Sequence, residues 1–514
     1  MTKRNRMDRM MSEALLLSLF SVGLQGLGLL FNVFLTRRLG AANVGAITLT
    51  GSFYSLAAVI SGGSGFLAVS RFLSEEIGCG GNPKRIFRYV LRFCMVLSIA
   101  VSAVIFLLAP LIVQRFLPDT CSVGTVRMLC LSLPVAAVLA CLKGRCYAYQ
   151  RVIPPAIAEY IEFVVKSGTL AFCAVFLLPQ NKMSVFGAFA VSMFAGQGSA
   201  TLFLAAVRIP HICEHPVCSC SFRRLLISIL PMIGNACLVA ILSSTNDALV
   251  PLTLLQYGSS TEEALSQFGE FEAIIIPTLF FPSVVQCCLS ALLVPSLSRA
   301  RTENRFDEIR MQTEKILEQT VSYALFVVLL IGQFGTQIGM LLGGNSFTGQ
   351  ILCKMAPVVP FIYLEIVLEG ILRGLGKQNF SSLNYLAEYT VRISVLLICV
   401  PLFGFYGIVL SYMACNLTGN AVRLYFVLRV TELKPVWKRI LGAPATAFLC
   451  GMFAMYAVRH LVQSVTLLPV AAVTGGLAYW SVMYLLNRQP DSFTQKRITG
   501  NANCPNGRKI RSFD

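Results

Sequence analysis

The chain has 514 residues, 56% hydrophobic and 13% charged, with a mean hydropathy of +0.71. A soluble domain of this length does not carry so apolar a composition, so the chain reads as an integral membrane protein. The net charge of +18 does not point to nucleic acid. Basic residues gather in alternate connections between apolar runs, and no soluble base-reading or stacking module is present.

Each membrane crossing needs roughly 20 apolar residues. Such runs lie near 13 to 36, 44 to 68, 93 to 114, 125 to 142, 155 to 178, 185 to 207, 225 to 250, 271 to 296, 318 to 342, 351 to 373, 382 to 402, 405 to 428, 441 to 461 and 466 to 486. They predict an all-α integral membrane protein of about 14 transmembrane helices. The first run is too long for a signal-peptide core and has no clear small-residue cleavage site, so it is read as a retained span. One set of connections holds Lys3 and Arg4, then Arg71, Lys84, Arg85, Arg88 and Arg92, then Lys143 and Arg145. The same set continues with Arg223 and Arg224, then Arg299 and Arg301, then Arg423 and Arg429, then Arg488 in the tail. The opposite set holds few, among them Arg37, Arg38, Arg127 and Lys354. Positive charge concentrates on the cytoplasmic side of membrane proteins, which predicts that both termini are cytoplasmic.

The chain repeats itself. Ser70 and Ser298 open similar basic connections at an offset of 228, Leu142 and Leu372 open similar "LKGRCYAYQ" and "LRGLGKQNF" segments at 230, and Glu162 with Lys166 matches Glu388 with Arg392 at 226. Three matches at nearly one offset indicate an internal duplication. Six spans per half is an even number, so the halves run through the membrane in the same sense. The predicted organisation is a first lobe over 1–222, a second over 223–440, an added hairpin over 441–486 and a basic cytoplasmic tail over 487–514.

Lys166 in the fifth span and Arg392 in the eleventh place positive charge near mid-membrane. Insertion scales put the cost at about 2.5 to 3.5 kcal/mol, so such groups face a water-filled cavity or a partner. Glu162 and Glu388 lie one helical turn from them. Either each acid neutralises its neighbour, or the basic groups form the wall of a pathway for an anion. Arg37 and Arg38, at the outer end of the first span, extend that wall or anchor the helix at the headgroups. Glu365 and Glu369, one turn apart in the tenth span, and Asp247 in the seventh are candidates, with Glu162 and Glu388, for binding a coupling proton or sodium ion. Otherwise they partner basic residues on neighbouring helices.

His211, Cys213, His215, Cys218 and Cys220 between the halves are metal-ligand types, but their spacing fits no standard site. No metal or cofactor is predicted. The 18 cysteines are read mostly as small core residues, and "SGGSGF" near Gly62 as close helix packing. Pro134, Pro231, Pro277 and Pro282 are candidate bending points. Neither the aspartates nor the histidines form a paired-carboxylate or histidine–acid arrangement, so no enzyme activity is predicted.

The segments "FLTRRLGAANVGAITL", "LAVSRFLSEE", "LKGRCYAYQRVIPPAIAEYIEFVVK", "DALVPLTLLQYGSSTEEALSQFGEF", "LSALLVPSLSRA" and "LEGILRGLGKQNF" resemble the stage V sporulation protein B branch of the polysaccharide transport family. That family belongs to the multidrug, oligosaccharidyl-lipid and polysaccharide (MOP) exporter superfamily, alongside the lipid II flippases. The resemblance extends to about residue 486. It implies two parallel six-helix lobes in a V-shaped MATE or lipid II flippase-like fold, with two extra C-terminal helices, in a bacterial plasma membrane. It implies alternating-access movement of an undecaprenyl-diphosphate-linked oligosaccharide or peptidoglycan precursor to the outer leaflet, with a monovalent cation as candidate coupling partner. The resemblance makes Lys166, Arg392, Arg37 and Arg38 the contacts for the anionic lipid-linked saccharide. The alternative within the superfamily is a cation-coupled multidrug exporter.

Overall fold

A computed structural model describes residues 3–63, 65–78, 82–116, 122–180, 183–207, 222–461 and 468–487. His211, Cys213, His215, Cys218, Cys220 and the basic tail lie outside them. Among the described residues every regular element is a helix. In chain order these are α1 (Lys3–Leu39), α2 (Ala41–Ala58), α3 (Gly65–Gly78), α4 (Pro83–Phe116), α5 (Val123–Ala148), α6 (Ile153–Phe172), α7 (Val185–Ala206), α8 (Phe222–Tyr257) and α9 (Thr261–Glu270). There follow α10 (Ile276–Phe280), α11 (Val284–Thr302), α12 (Phe306–Leu341), α13 (Ser346–Met355), α14 (Val359–Gly374), α15 (Gln378–Phe403), α16 (Phe405–Thr431), α17 (Ala443–Leu461) and α18 (Leu468–Asn487).

Twelve of the described stretches are long and apolar enough to cross a membrane. Helices α16 and α18 complete the fourteen expected. Helix α16 falls short on apolarity because it buries Ser411, Asn416, Asn420 and Arg423. Three spans are compound. The second joins α2 to α3 through a π-helical turn, the eighth runs through α9, α10 and α11 as Thr261–Thr302, and the tenth joins α13 to α14. Pro277 and Pro282 mark short turns in the eighth span, whereas Pro134 lies inside the continuous α5.

The break in the second span is at Gly62, whose φ of 130 lies in a region that L side chains avoid. A Cβ there would also press on Ala137 at 3.3 Å and on Cys94 at 3.4 Å. Gly62→Ala is therefore expected to destabilise the first lobe by about 1 to 3 kcal/mol, lowering the thermal midpoint of the detergent-solubilised protein. An unchanged midpoint would show that the kink carries no strain.

Helix starts at the end predicted to face outward are fixed by local chemistry. The side chains of Ser122, Ser184, Ser260 and Asn345 accept hydrogen bonds from the backbone N–H of Thr125, Gly187, Glu263 and Thr348, satisfying donors that the helix itself leaves open. The second and twelfth spans begin at Gly40 and Gly404, with φ of 83 and 57. Each of these glycines alone joins two consecutive helices.

The distribution of cores gives the shape. At the outer end one cluster draws residues from both lobes, combining Ala46, Leu49, Ala109, Ile112 and Phe186 with Phe268, Phe271, Ile275 and Ile351. At the other end the clusters stay within a lobe. One joins Leu73, Ile86 and Cys141 of α3, α4 and α5, and another joins Leu297, Leu317, Leu372 and Val427 of α11, α12, α14 and α16. The lobes thus share a core at the end predicted to face outward, and α1 of the first lobe also packs on α11 of the second. Lipid is as apolar as a leucine side chain, so close packing rather than exclusion from water holds such helices together. The closest approach is between glycines. A Cβ on Gly45 of α2 would fall 2.0 Å from the carbonyl oxygen of Leu265, and one on Gly269 of α9 would fall 2.2 Å from that of Ala41. Helices α17 and α18 pack on each other and on α12, where the Tyr479 hydroxyl donates to Ser322 O at 2.7 Å.

Candidate functional site

The residues singled out in the sequence fall into three places. The first is a cavity of about 520 Å³ inside the second lobe, enclosed by α11, α14, α15 and α16 and lined by Glu365, Glu369, Glu388, Tyr389, Arg392 and Tyr412 among others. Arg392 lays its guanidinium over the Tyr412 ring, 4.6 Å from the centroid, and its Nε is buried with no hydrogen-bond partner. Glu388 does not neutralise it. The Glu388 carboxylate meets Arg423, at 2.7 Å to Nη1 and 2.8 Å to Nη2, and also accepts from Asn384 Nδ2 at 3.1 Å.

Arg423 corrects the sequence reading that counted it with the cytoplasmic basic residues. Helix α16 continues to Thr431, which places Arg423 two turns inside its end, fully buried. Its guanidinium lies over the Tyr385 ring at 4.6 Å and reaches Glu365 at 3.5 Å. Room for the pair comes from Gly419, one turn earlier, where any Cβ would overlap the Glu388 carboxylate. Glu369 is committed as well, to Arg373 at 3.0 Å and to the Ser381 hydroxyl.

The first lobe repeats this arrangement in part. Lys166 rests half-buried against the Phe189 ring, its Nζ 5.9 Å from the centroid, and Gly196 gives α7 room to pass its stem. Glu162, one turn away, makes its ion pair with Lys143 at 3.5 Å instead. Among the described residues neither Lys166 nor Arg392 has a carboxylate within ion-pair distance. Their acids are drawn off by basic residues nearer the predicted cytoplasmic end. Lys166 is not part of the lining of the Arg392 cavity.

The second place is a cavity of about 490 Å³ between the lobes, with walls from α2 and α8 and one residue, Tyr389, from α15. Asp247 lies in it and accepts from the Ser52 hydroxyl at 2.6 Å and from Asn246 Nδ2 at 3.1 Å. Tyr389 lines both cavities. Glu272, absent from the sequence reading, is in electrostatic reach of both Asp247 and Arg392. The signal for it was weak, since "EFEAII" reads as the edge of a span, but the helix begins at Thr261 and carries Glu272 three turns inward.

The third place is the outer end. Arg37 Nη2 donates to Leu341 O, the end of α12, at 2.6 Å, where a cation also complements the helix dipole. Arg38 shares a shallow depression with Arg37, Leu30, Val33 and Phe34. Both arginines are exposed and stand apart from the Arg392 cavity. Among the described residues no three metal-ligating side chains stand together.

The comparisons agree with this architecture. A family model described as MatE matches residues 18–168. The chain is 21% identical over 450 residues to stage V sporulation protein B of Bacillus subtilis (strain 168), covering 85% of this chain and 87% of that one. It is 20% identical over 405 residues to sporulation protein YkvU of the same organism, covering 76% and 88%. Among solved structures it is similar to lipid II flippase MurJ in an inward closed conformation, with a TM-score of 0.72 at 13% identity over 92% of this chain and 99% of that one. It is also similar to an inward-facing multidrug resistance MATE family transporter, with a TM-score of 0.63 at 16% identity over 79% and 94%. Its long apolar helices and these likenesses lead to one conclusion: the chain is a multi-pass membrane protein that shares the fold of lipid II flippase and MATE transporter structures, matches the MatE model over residues 18–168 and is similar to stage V sporulation protein B over most of its length.

Proposed function

We propose that this protein is a flippase. It moves an undecaprenyl-diphosphate-linked oligosaccharide or peptidoglycan precursor from the cytoplasmic to the outer leaflet of a bacterial plasma membrane, with both of its own termini cytoplasmic. The supporting observation is that Lys166 and Arg392 keep their charges free of ion pairs while the acids beside them pair with Lys143 and Arg423. Intramembrane cations without partners attract anions, and a diphosphate is the anion that such a lipid carries. Lobes over 1–222 and 223–440 rock about the outer contact, the hairpin over 441–486 rides on the second lobe, and Arg37 and Arg38 meet the headgroup at the outer end. Moving one charge through 100 mV is worth about 2.3 kcal/mol, so an inside-negative potential favours outward movement of a diphosphate. Among the acids that could take up a coupling proton or sodium ion, Asp247, Glu365 and Glu162 are better placed than Glu369 and Glu388, because the latter two are held in closer ion pairs.

Lys166→Ala and Arg392→Ala are each expected to slow leaflet transfer of a defined lipid-linked saccharide in reconstituted vesicles by tenfold or more, at normal folding yield. Transfer at the native rate in both variants would remove these residues from the mechanism. The MATE likeness supports a second reading, a cation-coupled drug exporter. Drug resistance on expression, lost when Asp247 or Glu365 is neutralised, would favour it.

A further inference from the structure

Phosphate is only half of such a headgroup, and the cavity between the lobes has the chemistry for the other half. Its walls carry the hydroxyls of Ser52 and Ser55 from α2 and of Ser243 and Ser244 from α8, with the Asp247 carboxylate and Tyr389. A helical serine can return its hydroxyl to a backbone carbonyl one turn back, as Ser74, Ser167 and Ser394 do. Among the described residues Ser55, Ser243 and Ser244 make no such bond, so three uncommitted hydroxyls from two lobes face one space. A hydroxyl both donates and accepts, whereas a carboxylate only accepts. A diphosphate, itself an acceptor, is repelled by Asp247. A ring of alcohol groups matches the whole set, donating to Asp247 and exchanging bonds with the serines. The volume of about 490 Å³ is that of a small-molecule pocket and far exceeds a bare ion.

We infer that this cavity is a saccharide subsite, and that a sugar hydroxyl binds Asp247 in place of Ser52. The inference rests on the flippase reading above and adds the part of the headgroup that is recognised and the consequence of recognition. Ser52 and Asp247 belong to different lobes and are joined by a 2.6 Å hydrogen bond. Handing Asp247 to the sugar removes that link, so recognition loosens the joint that must open. Tyr389, which borders both cavities, divides the sugar side at Asp247 from the phosphate side at Arg392.

The test uses full-length protein in vesicles and two probes, an undecaprenyl-diphosphate-linked disaccharide and undecaprenyl diphosphate without sugar. The Ser243→Ala, Ser244→Ala double variant is expected to bind the glycosylated lipid about tenfold more weakly, the effect of losing two hydrogen bonds, and the sugar-free lipid as the native protein does. Ser55→Ala, on the other lobe, is expected to act in the same direction with a smaller loss. Ser52→Ala is expected to bind the glycosylated lipid a few-fold more tightly, because Asp247 is already released. Equal weakening toward both probes, no change toward either, or weaker binding by Ser52→Ala overturns the inference. So does a loss that disappears when sodium is omitted, which would make the cavity a cation site. Native protein that binds both lipids equally overturns the subsite alone, whereas native protein that binds neither overturns the flippase reading with it.

Discussion

Arg423→Leu is expected to destabilise the second lobe by about 3 to 5 kcal/mol, the range for breaking a buried ion pair by removing one partner. The cost is not the loss of attraction alone. Glu388 would remain buried with only Asn384 beside it, and Glu365 would lose its nearest cation. The planar guanidinium of Arg423 both donates to Glu388 and lies over the Tyr385 ring, which an ammonium does not reproduce, so Arg423→Lys is expected to recover only part of the loss. Removing both charges, as Arg423→Leu with Glu388→Gln, is expected to be milder than Arg423→Leu alone, because the more deeply buried of the two stranded carboxylates is then neutral. The thermal midpoint of the three variants in detergent measures this. A double variant as unstable as the single would show that packing around Arg423, including its face on Tyr385, outweighs charge.

Gly45→Val is the second large effect, and it acts on conformation. The backbones of α2 and α9 touch because neither Gly45 nor Gly269 has a side chain. An isopropyl group has no space between them, and overpacking of even adaptable cores costs about 1 to 3 kcal/mol. Two-state transporters separate their conformers by only a few kcal/mol, so the outer ends are expected to part in most molecules. Faster amide hydrogen exchange within Thr261–Glu270 and a tenfold or greater loss of leaflet transfer would report it. Native exchange and native transfer together would mean that the glycine contact is not the closure.

The spans were legible in the sequence because lipid demands unbroken apolar length, and that demand leaves a mark in every run. Partners across helices left none. The one-turn spacing of Glu388 and Arg392 is a property of α15 alone, and the cation that takes Glu388 comes from α16, 35 positions later. Arg423 was misplaced for a related reason: a tally of charge by connection puts an arginine near the end of an apolar run with the loop, and only the real length of α16 carries it inside. Glu272 was hidden by the same uncertainty in where a helix begins. Hydropathy thus located the bilayer-crossing elements, whereas the wiring among their charges needed three dimensions.

One-residue turns at Gly40 and Gly404 also limit how the helices can separate. Neighbouring Cα atoms lie 3.8 Å apart, so α1 cannot peel from α2 at the outer end, nor α15 from α16. Any sideways gap beside α1 is then a wedge, pinned at Gly40 and widest at the far end, like a book held at its spine. Helices α15 and α16 are pinned in the same way at Gly404 and are tied again far from that turn by the Arg423–Glu388 ion pair, so no such wedge opens between them while the pair holds.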